Sequence, residues 1–342
     1  MLPRLRLVAL RDVIDGAHRG SGGPPAVYTS ISDLTSSLPR GQRRPIAVTV
    51  VETRSVHVAP GRELGVWVGD GDSERSVVVM HGMPGSGLLY PRWLEDAAMR
   101  GIRLISYDRP GYGSSSDRPG RSIADCAAEV RAIADELGVD RVGVWGWSGG
   151  GPYALACAAL LPDLVAASAV VGSMAPWDAA GLDFFDGMGQ GNVDEIELFF
   201  SDPVAARKKN MQDRDEVLAT TVDQVLEVFA GLLSAPDAAV LTGEFADWLV
   251  RTEQYGLTPG DQGWWDDAVA HMSPWGFDLG SIRVPVKVWH GRHDRFSPFQ
   301  HGQWLADHIR GAERALSDAD GHLTLVTRRI GEVHDWLTDH FS

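Results

Sequence analysis

Short runs of continuous apolar residues, separated by stretches of helical character, constrain the fold of this chain more than any other feature. The runs cover residues 77–80, 102–107, 142–147, 167–171 and 286–290. A short run that is apolar throughout is typical of a strand buried on both of its faces. Strands that alternate with helices pack into a mostly parallel central sheet with helices on both faces. The sequence therefore predicts the α/β class.

The clearest helix lies between the second and third of these runs. Residues 122–137 carry apolar side chains at helical spacing, and Gly138 follows the last of them. Ser122 is a preferred N-cap residue, and Asp125 stands three positions later, as in a capping box. A glycine directly after a helix commonly adopts the left-handed conformation that ends it. We predict a helix with both of these caps.

The chain divides into segments of different composition. Residues 1–45 are rich in arginine and include a stretch of glycine and proline, and we interpret them as an N-terminal arm. A transit peptide is the alternative interpretation of the same arginines. Apolar stretches at 46–51, 56–58 and 64–68 are separated by turn residues and predict the first strands of the core.

The strand–helix alternation stops between residues 175 and 276, where the pattern is helical and aromatic residues are frequent. We predict a helical lid inserted at 175–276 into a core formed by residues 46–174 and 277–342. The side chains expected to line a substrate pocket are Trp147, Trp177, Phe184, Phe185, Trp248 and Trp264.

Composition excludes several classes of function. Lysine and arginine number 31 against 46 aspartates and glutamates, giving a formal net charge of −15. A nucleic-acid partner requires a basic surface, so we expect none. No apolar run approaches the roughly 20 residues of a membrane span. The expected partner is a small molecule, neutral and hydrophobic, and no pattern in the sequence indicates an oligomeric state.

The two cysteines, Cys126 and Cys157, have no C-x-x-C spacing and fall in predicted helices. Such residues are typical of a protein core in a reducing compartment, so we expect a cytoplasmic location and no disulfide. His290, His293 and Asp294 resemble metal ligands, but no further ligand stands out in the sequence. We therefore predict neither a metal nor another cofactor.

The sequence Gly146-Trp147-Ser148-Gly149-Gly150 carries the strongest chemical signal. It follows the apolar run 142–147 and precedes a helix of small residues. A sharp turn from strand to helix strains its middle residue and lifts the Ser148 hydroxyl above the sheet. Glycines two positions before and after are required because side chains there would clash with the neighbouring strand and helix. The following helix directs its positive end at this turn.

Taken together, five segments in order resemble the α/β-hydrolase superfamily, in particular its lid-bearing esterase-like and proline iminopeptidase-like branches. They are His81-Gly82-Met83-Pro84-Gly85, residues 107–115, Gly146-Trp147-Ser148-Gly149-Gly150, residues 289–298 and Asp320-Gly321-His322-Leu323. The resemblance implies that Ser148 is the nucleophile, Asp294 the acid and His322 the base, in the chain order of this fold. It also implies that the backbone amides of Met83 and Gly149 form the oxyanion hole.

These residue types suit acyl transfer. A serine hydroxyl is a poor nucleophile at neutral pH and requires a base such as histidine. An aspartate fixes the tautomer of that histidine and stabilises the imidazolium. Asp178 is an alternative acid, because some related enzymes carry the acid after that strand. We expect His81 to pack its loop, His293 to be a neighbour of the site, and Asp108 and Arg109 to form a local pair.

The sequence thus predicts a serine hydrolase that cleaves an ester, thioester or lactone of a largely apolar small molecule. An aminopeptidase resembling proline iminopeptidases is a rival, with Glu195, Glu197, Glu244 and Glu253 available to hold a substrate amine. A non-hydrolytic enzyme on the same scaffold, such as a perhydrolase or carbon–carbon lyase, is another. A ligand receptor that retains Ser148, Asp294 and His322 is the third rival. These rivals stay open because a fold does not determine a function.

Overall fold

The computed structural model of the chain describes residues 51–341 except residues 71 and 72. The N-terminal arm predicted at 1–45 lies outside the described residues. The same holds for the strand predicted at 46–51, apart from Val51, which begins the first strand of the sheet.

A single eight-stranded sheet forms the centre of the described structure. The strands are β1 (Val51–Ala59), β2 (Arg62–Gly69), β3 (Arg75–Met80), β4 (Ile102–Tyr107), β5 (Val142–Trp147), β6 (Val165–Val171), β7 (Val286–Gly291) and β8 (Glu313–Ser317). Their order in the sheet is β1-β2-β4-β3-β5-β6-β7-β8. The pairs β1–β2 and β2–β4 are antiparallel, and every neighbouring pair from β4 onward in this order is parallel.

The five apolar runs correspond to β3 through β7, which confirms the predicted central strands. All side chains of β5 and β6 are buried, as expected for strands covered on both faces. The edge strand β8 was not predicted, because its residues are exposed or only partly buried and form no apolar run.

The described residues form twelve α-helices. They are α1 (Pro91–Met99), α2 (Cys126–Leu137), α3 (Gly151–Leu160), α4 (Gln190–Ser201), α5 (Pro203–Ala219), α6 (Val225–Val228), α7 (Ala235–Ala238), α8 (Gly243–Gly256), α9 (Gln262–His271), α10 (Phe299–His308), α11 (Leu323–Arg328) and α12 (Ile330–Thr338). The capping box predicted before α2 is present, because Asp125 Oδ2 accepts from the Ser122 amide at 2.7 Å. Gly138 ends α2 with a φ of 64°.

Helices cover both faces of the sheet. One apolar cluster joins it to α2, α3 and α10, and a second joins it to α1, α8, α11 and α12. Burial of these apolar faces is the main stabilising contribution to such a fold. The architecture confirms the predicted α/β-hydrolase fold, with a mostly parallel sheet between two helical layers.

Six of the helices, α4 to α9, lie between β6 and β7, and no described residue between those strands belongs to the sheet. We call α4 to α9 the inserted helices. None of the described helices combines the length and apolarity required to cross a membrane.

Candidate active site

Ser148 lies at the turn between β5 and α3 in a strained conformation. Its φ is 54°, and it is the one non-glycine residue with a positive φ in the described part of the chain. A left-handed backbone costs energy for a residue with a side chain and is common at functional sites. A Cβ at Gly146 would lie 2.2 Å from the Gly150 carbonyl, and one at Gly150 would lie 2.1 Å from the Met80 carbonyl of β3. The two outer glycines are therefore required by the close approach of strand and helix.

Asp294 and His322 are paired at the carboxyl ends of β7 and β8. His322 Nδ1 lies 2.8 Å from Asp294 Oδ2, and both side chains are buried. The other carboxylate oxygen of Asp294 accepts from the amides of Phe296 and Ser297, each at 2.9 Å. Because the Asp294 carboxylate accepts a hydrogen bond from His322 Nδ1, the proton of a neutral His322 lies on Nδ1. Nε2 is then free to act as a base. Among the described residues, Asp294 makes this bond and Asp178 does not.

Met83 and Gly149 lie side by side near the serine. A Cβ at Gly149 would lie 2.8 Å from Met83 Cβ and 3.4 Å from the Met83 amide nitrogen, so the two backbones approach closely only because residue 149 is a glycine. Gly149 follows Ser148 at the start of α3, whose N-terminus favours a developing negative charge. The geometry suits an oxyanion hole.

A cavity of about 420 Å³ brings these groups together. Ser148, His322, Met83 and Gly149 all contribute to its wall. Most of the remaining wall is apolar and comes from both the core and the inserted helices. Its apolar side chains include Trp93, Trp145, Trp147, Leu249, Phe199, Phe229, Trp248, Trp264, Trp265 and Phe296.

No hydrogen bond joins the hydroxyl of Ser148 to His322 among the described residues. Catalytic hydrogen bonds are often long or poorly aligned until a substrate binds, so this geometry is compatible with a general base. The His322 ring is fixed on its other sides: it stacks on Phe296 with ring centroids 4.6 Å apart, and Trp147 lies 5.5 Å away.

The aromatic residues predicted to bind substrate divide into two groups. Trp147, Trp248 and Trp264 line the cavity, but Trp177, Phe184 and Phe185 do not. Those three pack against one another, and Trp177 stacks on Phe200 with centroids 4.3 Å apart. They form an aromatic cluster of their own before and within α4. The sequence could not separate the two groups, because the composition of the insertion does not reveal which way each ring faces.

The local pair expected between Asp108 and Arg109 is absent from this loop. Asp108 instead accepts from the Gly87 amide at 2.8 Å and from Ser114. Arg109 reaches the inserted helices, where its guanidinium lies 2.5 Å from Asp267 of α9. Adjacent side chains in a loop often diverge, and here each one finds a partner distant in sequence.

Asp267 is the centre of a buried ionic cluster. Arg121 lies 2.6 Å from its second oxygen, and Tyr112 and Tyr153 donate to it at 3.0 and 2.6 Å. Burial opposes the charge, but Arg109 and Arg121 outweigh that effect and hold the Asp267 pKa well below its usual range. The carboxylate is therefore ionised at any ordinary pH.

Both this cluster and the next turn of α9 contact the oxyanion region. Arg109 donates to the carbonyls of His81 and Gly82 at 2.5 and 2.9 Å. His271, one helical turn after Asp267, places Nε2 at 2.9 Å from the Gly149 carbonyl. Sequence reasoning did not identify Asp267 or His271, although their i, i+4 spacing on one helix was the available signal.

The remaining histidines near the site have structural contacts. His81 accepts from the Arg109 amide at Nε2 and lies 2.8 Å from the Gly82 carbonyl at Nδ1. Burial, together with Arg109, lowers its pKa well below the ordinary value. His290 is buried against the Ser297 carbonyl, while His293 is exposed. His81 therefore packs its loop.

One carboxyl group in the cavity wall is not explained by these contacts. Glu253 of α8 lines the cavity and is 9% exposed. Burial raises its pKa from the ordinary 4.5 to about 8, so it is largely protonated at neutral pH. Glu195 of α4 also lines the cavity. Burial raises its pKa, and the negative charge of the nearby Asp213 raises it further.

Comparison with known proteins gives consistent similarities. A family described as alpha/beta hydrolase fold matches residues 75–212. The 2-hydroxy-6-oxononadienedioate/2-hydroxy-6-oxononatrienedioate hydrolase of Klebsiella pneumoniae is 26% identical over 77% of this chain and 86% of its own length. The pimeloyl-[acyl-carrier protein] methyl ester esterase of Nitrosomonas europaea is 26% identical over 73% of this chain and 90% of its own.

Solved structures give the same result for the fold. A thermophilic esterase from Thermogutta terrifontis aligns with a TM-score of 0.61 at 20% identity. The alignment covers 86% of this chain and all of that one.

Proposed function

Because the chain belongs to the α/β-hydrolase superfamily, we propose that it is a serine hydrolase with Ser148 as nucleophile. The bond it cleaves is an ester, thioester or lactone of a largely apolar small molecule. One observation carries this proposal: His322, which is paired with Asp294, and the strained Ser148 both line one apolar cavity.

The first half of the reaction forms an acyl-enzyme. Ser148 Oγ attacks the carbonyl carbon while His322 Nε2 takes its proton, and Asp294 stabilises the imidazolium through Nδ1–H. The carbonyl oxygen becomes an oxyanion that accepts from the amides of Met83 and Gly149. Loss of one such donor typically costs about 3–4 kcal/mol of barrier. The imidazolium then protonates the leaving alcohol, thiol or enol, and the C–O or C–S bond breaks.

The second half is hydrolysis of that intermediate. His322 Nε2 removes a proton from water, the resulting hydroxide adds to the acyl carbon, and Ser148 leaves after it regains its proton. The same oxyanion donors serve this step. The products are a carboxylic acid and the free enzyme, so no cofactor is needed for the balance of atoms and electrons.

The charges around the cavity favour a neutral substrate. Lys209 is the one lysine or arginine among the described residues of its wall, and Asp213 pairs with it at 2.6 Å. The carboxylates of Asp213 and Glu216 also line the wall. Glu253 adds little charge there, because its carboxyl is largely protonated at neutral pH. A substrate with carboxylate groups would enter this cavity against that charge. An apolar wall with few polar groups is typical of a small-molecule site.

The proposal is tested with a fluorophosphonate probe and with p-nitrophenyl esters from C2 to C12, next to amino-acid p-nitroanilides. We expect the probe to label wild type and not Ser148→Ala, and the esters to be cleaved with a burst of p-nitrophenol. Ser114→Ala is the matched control, since that serine lies on the loop after β4 and not in the cavity wall. Absence of labelling in folded wild type would refute the acyl-enzyme.

A carbon–carbon bond hydrolase is a second candidate, favoured by the relatives named for 2-hydroxy-6-oxononadienedioate. A compound of that name contains no ester, so its hydrolysis breaks a carbon–carbon bond. The acidic cavity wall weighs against a dioate substrate. Faster turnover of a 2-hydroxy-6-oxo-dienoate than of any ester, measured by loss of its visible absorbance, would establish this candidate instead.

The aminopeptidase is favoured by a different observation, the buried Glu253 in the cavity wall. A substrate ammonium group would ionise this carboxyl and pair with it. Preference for amino-acid p-nitroanilides over esters, lost in Glu253→Gln, would establish that activity.

A further inference from the structure

Asp237 of α7 is fully buried and holds the backbone that carries His322. Its Oδ2 accepts from the His322 amide at 2.9 Å. Its Oδ1 accepts from the amides of Leu323 and Thr324 at 2.8 and 3.0 Å. One carboxylate thus accepts from three consecutive N–H groups at the start of α11, where the first turn of a helix leaves such groups without a partner inside the helix. Bonds from amides to a carboxylate are stronger than those between neutral groups.

The contact joins two parts of the chain that are far apart in sequence. Asp237 belongs to the inserted helices, whereas His322 lies beyond β8, 85 positions later. The approach is close: a Cβ at Gly321 would lie 2.1 Å from Asp237 Oδ2, so the residue before His322 has no room for a side chain. Ser234 donates to the same oxygen at 2.8 Å and fixes the carboxylate in turn.

His322 is consequently held from two directions. Asp294 fixes the ring through Nδ1, and Asp237 fixes the main chain to which the ring is attached. A hydrogen bond to the ring alone sets the tautomer and the tilt of the imidazole, but it does not set the position of Cα. The inserted helices therefore provide part of the cavity wall and also a fixed attachment for the candidate base.

We propose that Asp237 is a positioning residue for His322, through which the inserted helices place Nε2 toward Ser148. This inference rests on the proposed function, because it takes His322 as the general base. Removal of the carboxylate leaves buried amides unpaired and frees the loop to shift. A displacement of about 1 Å at a catalytic group can reduce the rate roughly 100-fold.

The main test is Asp237→Asn. The Asn oxygen can still accept from Leu323 and Thr324, but its NH2 group then faces the His322 amide, donor against donor. We expect kcat for the best p-nitrophenyl ester to fall roughly 100-fold, with KM changed less than about threefold. Asp223→Asn, at an exposed position in the same insertion, is the matched control with unchanged kcat.

A second readout does not depend on activity. The Nδ1 proton of His322, bonded to Asp294, is expected to give a low-field proton NMR signal that His322→Gln removes. Asp237→Asn should shift or broaden this signal. If Asp237 only stabilised the fold, the substitution would lower the unfolding temperature and leave the His322 signal unchanged. Ser234→Ala removes the bond to Asp237 but keeps the carboxylate, so a smaller change in the same direction is expected even if Asp237→Asn does not fold.

The outcomes separate the two proposals. Wild type that fails to react with the fluorophosphonate probe refutes the proposed function, and the His322 signal still reports on Asp237. A folded Asp237→Asn with wild-type kcat and an unchanged His322 signal overturns the positioning role alone. If Asp237→Asn cannot be purified, a Ser234→Ala variant with wild-type kcat and an unchanged His322 signal also overturns the positioning role.

Discussion

Arg109 Nη2 and Asp267 Oδ2 lie 2.5 Å apart, and both side chains are buried. The pair connects the loop after β4 to α9 of the inserted helices. Arg109 also donates to the carbonyls of His81 and Gly82, directly before Met83. The ionic cluster therefore fixes the backbone that offers one of the candidate oxyanion donors.

We predict that Asp267→Asn destabilises the protein more than Arg109→Met. Loss of Asp267 leaves both Arg109 and Arg121 buried without their counterion, whereas loss of Arg109 leaves the Asp267–Arg121 contact in place. Removing one partner of a buried ion pair typically costs about 3–5 kcal/mol. Urea denaturation of the two variants, followed by tryptophan fluorescence, measures the free energy of unfolding.

Asp163→Asn is the control for this prediction. It breaks an exposed pair with Arg131 at the same separation of 2.6 Å as the Arg121–Asp267 contact. Exposed pairs contribute about 0–1 kcal/mol, so little change is expected. Equal costs for Asp163→Asn and Asp267→Asn would show that the buried cluster does not stabilise the fold.

Replacement of the acid tests the assignment of the triad. Asp294→Asn keeps the shape of the side chain but removes the charge and permits the wrong tautomer of His322. We expect kcat for p-nitrophenyl esters to fall by roughly 10³–10⁴-fold with the unfolding temperature little changed. The same substitution at Asp178 serves for comparison. A greater loss from Asp178→Asn than from Asp294→Asn would transfer the role of acid to Asp178.

The sequence was sufficient to predict the central strands, and the reason is local. A strand buried on both faces is apolar throughout, so β3 to β7 are visible as runs. The turn at Ser148 requires glycines at fixed offsets, so a pattern of five consecutive residues is enough to predict it. The loops of Asp294 and His322 were found through resemblance, and the structure places their side chains 2.8 Å apart.

The supports of the site could not be predicted, because they are long-range. Asp237 contacts an amide 85 positions away, and Arg109 meets Asp267 158 positions away. Nothing near Asp237 in sequence distinguishes it from a solvated acid at a turn. Trp177 and Trp248 are equally aromatic and lie in the same insertion, yet only Trp248 faces the cavity. Which face a side chain presents depends on packing between helices, and composition does not contain that information.

Trp248 is expected to limit the length of the acyl chain. It lines the cavity, packs on Trp93 with centroids 4.8 Å apart, and donates to the Leu88 carbonyl at 2.9 Å. Trp248→Ala opens this wall, so the ratio of kcat/KM for a C8 ester over a C4 ester should rise roughly tenfold. The variant should also lose about 3–5 kcal/mol of stability. Trp177→Ala is the matched control and should leave the ratio unchanged; an equal shift in both variants would contradict the assignment.

Glu253 provides a dependence of stability on pH. Burial raises its pKa from 4.5 to about 8 in the folded protein, so the folded state binds more protons than the unfolded state between those values. Its contribution to stability is complete below pH 4.5 and is lost as the pH rises through about 8.

Glu253→Gln removes this titration while it keeps the shape of the side chain. Since the amide carries no charge at any pH, the variant should match wild type near pH 4.5 and become more stable than wild type as the pH rises. The difference in the free energy of unfolding should approach a limit on the order of 5 kcal/mol near pH 9. Urea denaturation of both proteins at pH 5, 7 and 9 measures it, with the exposed Glu227→Gln as control. A difference that stays constant over this range would mean that Glu253 is already ionised in the folded cavity, most simply because water reaches it.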